Sequence, residues 1–306
     1  MNSFKALVKR EYWENRGSIF LSPAIIAAVL AAIMILGTIT GDTFVETHHG
    51  EINLWDKFPQ AVEEFNNIEE EKRTQAIQIS LYAPRILFGF VMMLICLFYC
   101  LGSLYDERKD KSILFWKSLP VSDTATVLSK FVSVCFMIPI VYFAVVAAFQ
   151  VFLLVYGTVL AWFGGSLGLN VWTSSNLFGV LFNSLFSFVV ATLWLAPLWA
   201  WFMFASAWAK KVAFLWGTLP IFMVAIAEGW IFRSSHFIEM VGERVARGFT
   251  TLNSDMHFLV GKDMFDEHYV AKWYEVLGES GFWIGLIVAA GFLAGAIYTR
   301  RYRDES

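Results

Sequence analysis

Six stretches of this sequence are apolar for about 20 residues at a time, and they constrain the fold more than any other feature. A helical run of that length matches the hydrocarbon thickness of a bilayer. The runs are unbroken, so they lack both the period of a half-buried strand and the period of a surface helix. Only 16% of the residues are charged and 58% are hydrophobic, which is too little polar surface for a soluble domain of this size. The sequence therefore predicts an all-α membrane protein with six transmembrane helices.

The six predicted spans are distributed over nearly the whole chain. They cover about residues 19–39, 86–104, 131–156, 177–205, 212–232 and 281–298, and a short loop is expected at 157–176. The first run is longer than the roughly 7–15 residues of a signal-peptide core, so we expect it to remain as an anchor. Pro197 predicts a kink in the fourth span. Four tryptophans in the same span are expected at headgroup level: Trp194, Trp199, Trp201 and Trp208.

Outside the spans, residues 1–18 predict an interfacial helix, and two polar stretches predict small helical insertions. The apolar side chains of the N-terminal helix share one face: Phe4, Leu7, Val8 and Tyr12. A plain extension of the first span is the alternative. The polar stretches, about residues 40–83 and 233–280, contain possible surface helices near 61–79 and 237–249. We expect these insertions to be extracytoplasmic.

The distribution of basic residues predicts that both chain termini are cytoplasmic. Lysine and arginine near the ends of spans set orientation, and they favour the cytoplasmic side. With the N-terminus inside, fourteen of the 23 basic residues fall on that side: Lys5, Lys9, Arg10, Arg16, Arg108, Lys109, Lys111, Lys117, Lys130, Lys210, Lys211, Arg300, Arg301 and Arg303. The opposite orientation would translocate the tight turn at Lys210 and Lys211.

The connection between the second and third spans, about residues 106–130, has the most distinctive sequence. Charged residues come first, an amphipathic stretch with Phe115 and Trp116 follows, and Pro120 precedes a helix start at Ser122. Large apolar side chains in a connection between spans are expected to be shielded from water. Insertion into the membrane interface is one explanation, and docking into a groove on a soluble partner is the other.

The run LYDERKDKSILFWKSLPVSDTATVLSK closely resembles the connection between spans two and three of ABC-2-type permeases, the membrane-spanning subunits of ABC transporters. The N-terminal LVKREYWENRGSIFLSP resembles the connecting helix of the same family, and together the two segments cover about a sixth of the chain. The resemblance implies one permease domain over residues 19–306, with a coupling helix that sits in a cleft of an ATPase subunit. The residues that it implicates in ATPase coupling are Glu107, Arg108, Ser112, Leu114, Phe115, Trp116, Leu119, Pro120 and Ser122.

The resemblance also implies partners and a location. No GxxxxGK[ST] phosphate loop occurs in the sequence, so ATP and magnesium are expected on a separate ATPase chain, with no cofactor and no enzymatic activity on this one. A second permease copy, identical or related, is expected in a bacterial plasma membrane, in contact with lipids and without nucleic acid. An exporter of an amphipathic or hydrophobic substrate is the favoured function. A non-transporting ABC-like sensor or assembly factor is the alternative. Residues 233–280 are longer than the corresponding connection in the family, which puts a re-entrant element there in doubt.

Isolated polar residues within the spans suggest a possible intramembrane polar site at Asn183 and Glu228. Glu228 could be a substrate- or proton-linked group, or it could form a structural pair with Arg85 or Arg233, which we favour. Asn183 begins a polar stripe with Ser184 and Ser187, for which interhelical hydrogen bonding is favoured over a transport path.

Other reactive side chains do not form a recognisable site in the sequence. Cys96, Cys100 and Cys135 fall within apolar runs and are expected to be core residues. No nucleophile–base arrangement is visible, so no catalytic residue is predicted. The histidines and acids of the polar stretches have no established metal-ligand spacing, so no metal is expected at His48, His49, Asp255, His257, Asp263, Asp266 or His268.

Overall fold

A computed structural model of the protein describes residues 2–40, 62–65, 67–112, 121–164, 169–253 and 272–302. The regular elements in these ranges are helices. The first half contains α1 (Asn2–Glu14), α2 (Ser22–Thr40), α3 (Glu70–Tyr82), α4 (Pro84–Ser103), α5 (Tyr105–Lys109), α6 (Asp123–Val132) and α7 (Ile138–Phe163). The second half contains α8 (Leu169–Ser175), α9 (Leu177–Trp194), α10 (Ala196–Trp208), α11 (Ala213–Ile231), α12 (His236–Leu252), α13 (Trp273–Gly278) and α14 (Ser280–Tyr302).

Six helical segments in the described ranges are long and apolar enough to cross a membrane, which confirms the predicted number of spans. They are Gly17–Thr40, Glu70–Lys109, Asp123–Phe163, Val171–Trp194, Ala213–Ile231 and Ser280–Tyr302. The second and third are 40 and 41 residues long, well beyond the predicted spans. Residues 157–163, predicted as part of a loop, continue helix α7 because they are largely apolar and a single glycine costs a helix only about 1 kcal/mol.

The predicted kink in the fourth span is present at Leu195. Helix α9 ends at Trp194 and α10 begins at Ala196, with Pro197 in the first turn of α10. Proline has no backbone N–H and clashes with the preceding turn, so a continuous helix through this point is disfavoured. The break divides the fourth span into two helices, of which α9 packs mainly on α12 and α7, and α10 mainly on α14 and α4.

Two of the four tryptophans of the fourth span lie inside the bundle, and Trp201 and Trp208 are half-buried. Trp194 and Trp199 are only 6% and 5% exposed, so both are core side chains, and their depth at headgroup level stays a prediction. The Trp199 indole donates to the carbonyl oxygen of Thr192 at 3.1 Å, and the Trp201 indole donates to that of Gly217 at 2.8 Å. One backbone carbonyl oxygen at the kink and one on α11 thus accept the hydrogen bonds of the two indole N–H groups. With these groups satisfied, the large rings can pack in the interior of the bundle.

Helices α10 and α14 form the central pair of the bundle. Trp201 packs edge-on against Phe292 with ring centroids 5.3 Å apart, and Phe204 stacks on the same ring at 6.3 Å. Phe204 also lies against Gly295, one turn further along α14. The two helices therefore run in the same direction. Nearby, Cys96, Cys100 and Cys135 are buried and free, as predicted.

The two ends of the bundle differ in what they contain. We call the end that contains α1, α5, the start of α6 and the last turn of α14 the basal end, and the opposite end the distal end. At the distal end α3 packs on α8 and α9, while α12 packs on α9, α11 and α4. Helix α12 confirms the amphipathic helix predicted near 237–249. The remaining parts of the two polar stretches, residues 41–61 and 254–271, lie outside the described residues.

Candidate functional site

A group of interacting polar and charged side chains connects five helices at the basal end. We call it the basal cluster, and its members are Arg10, Glu11, Tyr99, Glu107, Asp123, Lys130 and Arg300. The ionic members are three cations and three carboxylates, so their formal charges balance. A balanced set is the form in which ionised groups tolerate burial.

Glu11 enters the cluster from α1. Leu7 and Glu11 lie one helical turn apart and both are buried, so the inner face of α1 is apolar at one turn and anionic at the next. The Glu11 carboxylate accepts hydrogen bonds from Lys130 Nζ at 2.9 and 3.1 Å and from the Tyr99 hydroxyl at 2.7 Å. Arg10 Nη2 donates to the same carboxylate at 2.6 Å. Helix α1 is therefore fixed to α4 and α6 by a side chain that is 1% exposed.

Glu107 on α5 is the centre of the cluster. One oxygen lies 3.0 Å from Lys130 Nζ and 3.5 Å from Arg10 Nη2, and the other lies 2.6 Å from Arg300 Nη1. Arg300 Nε donates in turn to Asp123 at 3.0 Å. A single residue of the connection between the second and third spans thus binds α1, α6 and α14 together.

The electrostatic environment keeps Glu11 ionised. Burial alone would raise the pKa of this carboxyl, because the charged form loses its hydration. The positive charge of Lys130, together with hydrogen bonds from Tyr99, Lys130 and Arg10, outweighs burial and holds the pKa of Glu11 below its ordinary value of 4.5. The carboxylate is therefore charged at neutral pH, and the ion pairs that connect α1 to the bundle persist.

Arg108, the next residue, connects α5 to the basal end of the fourth span. Its Nη2 donates to the carbonyl oxygens of Ser206 and Ala209 at 2.6 and 2.8 Å, where α10 ends. A cation is favourable at a helix C-terminus because the last carbonyl groups there have no helical partner. In the opposite direction, the Ser206 hydroxyl accepts from the backbone N–H groups of Leu104 and Tyr105 at 3.1 and 2.9 Å.

Two π-helical turns lie directly beyond the cluster. Gly17–Leu21 follows α1 at the start of the first span, and Ser133–Met137 follows α6 in the third. A π-turn widens the helix and leaves backbone groups without regular partners. The Thr192 hydroxyl, on the fourth span, donates to the carbonyl oxygen of Cys135 at 3.1 Å. Two spans therefore change their winding next to the charged groups that hold them.

The described residues of the predicted coupling set lie in or beside this cluster. Glu107 and Arg108 form the contacts given above, and the Ser112 hydroxyl donates to the carbonyl oxygen of Glu107 at 3.2 Å. Ser122 caps the N-terminus of α6 as predicted, since its hydroxyl accepts from the Ala125 N–H at 3.2 Å. The other members lie outside the described residues: Leu114, Phe115, Trp116, Leu119 and Pro120.

Several members of the basal cluster were missed by sequence reasoning. The sequence places Lys130 and Arg300 only in the set of basic residues that orient the chain, yet their side chains are 4% and 3% exposed. Glu11 was not singled out at all. The one signal for it is its position a helical turn after Leu7, on the face that the apolar residues of α1 occupy.

The possible polar site at Asn183 and Glu228 is not assembled as one unit. Asn183 accepts a hydrogen bond from the Trp273 indole at 3.2 Å. Glu228 accepts from the Ser234 hydroxyl and the Phe237 N–H, both at 2.8 Å, and so caps the N-terminus of α12.

The expected pairing of Glu228 with an arginine is wrong, because the partners found for it in the described residues are these turn groups and, at 3.7 Å, His236. Arg85 instead donates to the carbonyl oxygen of Leu252, with its guanidinium 5.0 Å above the ring of Tyr82. In the polar stripe, the Gln150 amide on α7 donates to the Ser184 hydroxyl at 3.4 Å, which confirms interhelical hydrogen bonding for Ser184, whereas the described residues provide no partner for the buried Ser187 hydroxyl.

In the described ranges, no cluster of three or more histidine, cysteine or acidic side chains is arranged so that it could bind a metal ion. The histidines and acids of the two polar stretches that were weighed for a metal site lie outside those ranges. A comparison of the chain with protein-family models, curated proteins and solved structures found no match. The meaning of the basal cluster therefore depends on its geometry and on the sequence of the connection that contributes Glu107 and Arg108.

Proposed function

We propose that this chain is the permease subunit of an ABC transporter of the ABC-2 type, driven by a separate ATPase subunit that binds the connection between the second and third spans. The single observation that supports the proposal best is the position of Glu107 and Arg108. These two neighbours, at the start of the connection, contact α1, α6, α10 and α14. A displacement of the connection is thereby transmitted to the basal ends of several spans together.

The cluster is suited to transmission because it resists being pulled apart. Separation of a buried ion pair leaves uncompensated charge in an apolar surrounding and costs about 3–5 kcal/mol. Small forces on the connection therefore move the joined helix ends as a group and do not separate them. The π-turns in the first and third spans lie immediately beyond and provide the places where those spans bend.

The same proposal gives an orientation and an assembly. The described members of the basic set predicted to be cytoplasmic gather at the basal end, so we place that end, with both termini, in the cytoplasm of a bacterial cell. Six spans are half of a usual ABC transport unit, so the working assembly contains a second permease copy. Export of an amphipathic or hydrophobic substrate is the direction and cargo class that we propose.

The experiment that tests the proposal changes the apolar residues of the connection. The double variant Phe115→Ser, Trp116→Ser is expected to insert in the membrane normally and to lose co-purification of an ATPase from native membranes. Trp230→Ser is the matched control, because Trp230 is an exposed aromatic residue at the distal end of α11. Undiminished ATPase recovery and transport in the double variant would contradict a coupling role. Recovery of an ATPase without transport by the wild type would favour the sensor alternative.

A further inference from the structure

An apolar groove of about 660 Å³ lies between the fourth, fifth and sixth spans and α12. Its volume falls within the range of roughly 300–1,000 Å³ that is usual for ligand sites. Trp194, Pro197 and Trp201 line its inner wall. Val224, Met240 and Val288 line it too, and these three are exposed apolar side chains, so the groove opens on the apolar surface of the bundle.

One wall of this groove contains an arginine whose charge is not balanced. Arg244 on α12 donates through Nε to the carbonyl oxygen of Trp194 at 3.0 Å and through Nη1 to that of Gly281 at 3.3 Å. Its Nη2 is buried, and the described residues provide no hydrogen-bond acceptor for it. The nearby Arg247 differs, because it forms an ion pair with Glu279.

The packing around Arg244 holds its guanidinium in place. The group lies 4.6 Å from the centroid of the Trp194 ring, in cation–π contact, and Nη2 rests on Gly285, where any side chain would clash with it. The neighbouring acid that lines the groove, Glu243, is exposed at its rim. The result is a fixed positive charge beside an apolar channel.

The position of Arg244 along the bundle corresponds to a membrane interface. Gly281, its hydrogen-bond partner, precedes Arg300 by nineteen residues on α14, a rise of about 28 Å. This is close to the roughly 30 Å thickness of a hydrocarbon core. With the basal cluster at one interface, Arg244 therefore lies near the other, and the groove extends from it toward the bilayer interior past Pro197 and Trp201.

We propose that this groove binds an acidic phospholipid of the surrounding bilayer. The phosphate lies beside the Arg244 guanidinium and balances its charge, and one acyl chain lies along Pro197, Trp201 and Val288. Charge complementarity favours an anionic headgroup over a zwitterionic one, because a zwitterionic lipid brings its own cation to the site. The opening between exposed apolar side chains of the fifth and sixth spans gives a lipid direct lateral access. This inference does not depend on the proposed transport function.

The test uses the full-length protein, purified and exchanged into nanodiscs with equal amounts of phosphatidylglycerol and phosphatidylcholine. Lipids that remain bound after release into the gas phase are counted by native mass spectrometry. The wild type is expected to retain one phosphatidylglycerol with a preference of about fivefold, the effect of one basic group at a membrane surface. Arg244→Gln is expected to lose the preference and Arg244→Lys to keep most of it.

Two further variants separate lipid binding from folding. Val288→Trp fills the groove without a change of charge, and it should abolish retention of both lipids while Arg244 stays in place. Arg233→Gln removes a distal arginine that does not line the groove, and it should bind lipid like the wild type. Equal retention of both lipids by the wild type, or an unchanged preference in Arg244→Gln with a native melting temperature, would overturn the proposal.

Discussion

Lys130 is the residue on which the balance of the basal cluster depends, because it contacts both Glu11 and Glu107. Lys130→Met preserves the length of the side chain and removes its charge. Glu11 then remains buried with one cation fewer, and the free energy of unfolding is expected to fall by about 3–5 kcal/mol. The measurement is helix loss in mixed micelles of increasing SDS content, followed by circular dichroism.

Two comparisons define the origin of that loss. Lys211→Met removes an exposed lysine at the same end of the bundle and should change the free energy of unfolding by less than about 0.5 kcal/mol. The double variant Glu11→Gln, Lys130→Met should be more stable than Lys130→Met alone, since two cations and two carboxylates then remain and the formal charges of the cluster balance again. Equal stability of Lys130→Met and the wild type would show that the cluster is not buried in the way described.

Glu11 gives the attachment of α1 a dependence on pH. Its pKa is lower in the folded protein than its ordinary value of 4.5, so ionised Glu11 stabilises the attached state above that value. The stabilisation is lost as the pH falls below 4.5 and through the folded-state pKa. We expect α1 to become accessible to protease in that acidic window while the spans stay folded. Glu11→Gln should show this accessibility at neutral pH, with little further change on acidification.

The turn between α4 and α5 is held by the hydroxyl of Ser206 on α10. Ser206 accepts from the N–H groups of Leu104 and Tyr105, both at the turn, so Ser206→Ala leaves two backbone donors without this acceptor. An unsatisfied buried donor costs about 1–3 kcal/mol. Faster amide exchange is expected at residues 104–109, measured by hydrogen–deuterium exchange. Thr218→Ala is the control, because the partner of that hydroxyl among the described residues is a carbonyl oxygen of its own helix, and no protection should be lost there.

The helices themselves were largely predictable because the signals for them are local. An apolar run of bilayer length predicts a span wherever it occurs, and Pro197 predicts a break in any helix. The amphipathic pattern of α12 predicts a helix in the same way. The ends of the second and third spans were less predictable, because polar and apolar residues are both compatible with helix once neighbouring helices pack against them. The burial of Trp194 and Trp199 shows the same limit, since it depends on how the helices pack.

The basal cluster could not have been predicted from spacing, because its members are far apart in the chain. Glu107 and Arg300 are separated by 193 residues, and Arg10 and Glu107 by 97. Each residue taken alone resembles an ordinary charged group near the end of a span. The sequence did single out Glu107 and Arg108, through the resemblance of their segment to a known family. Their partners became visible only when the helix ends were brought together.

The bundle as a whole is expected to respond to its connection as one body, with Glu107 as the necessary link. Cysteines introduced at Glu70 and Gly242 place spin labels on exposed positions of two distal helices, and the native cysteines are buried. In the wild type with the proposed ATPase partner, we expect the distance between the labels, measured by pulsed electron paramagnetic resonance, to change when nucleotide binds. Glu107→Gln weakens the contacts to Lys130 and Arg300, so the ATPase should still bind while the distal change is largely lost.

The control for this experiment is Asp110→Asn, which removes an exposed acid three residues further along the same connection. It should leave both ATPase binding and the distal response intact. Loss of ATPase binding in Glu107→Gln would make this residue part of the docking surface and not of the transmission. A full distal response in Glu107→Gln would contradict the cluster's role, because the motion would then reach the distal end through helix packing alone. Helices α10 and α14 are in extensive contact, so transmission through helix packing is the main alternative to transmission through the basal cluster. Glu107→Gln distinguishes these two routes.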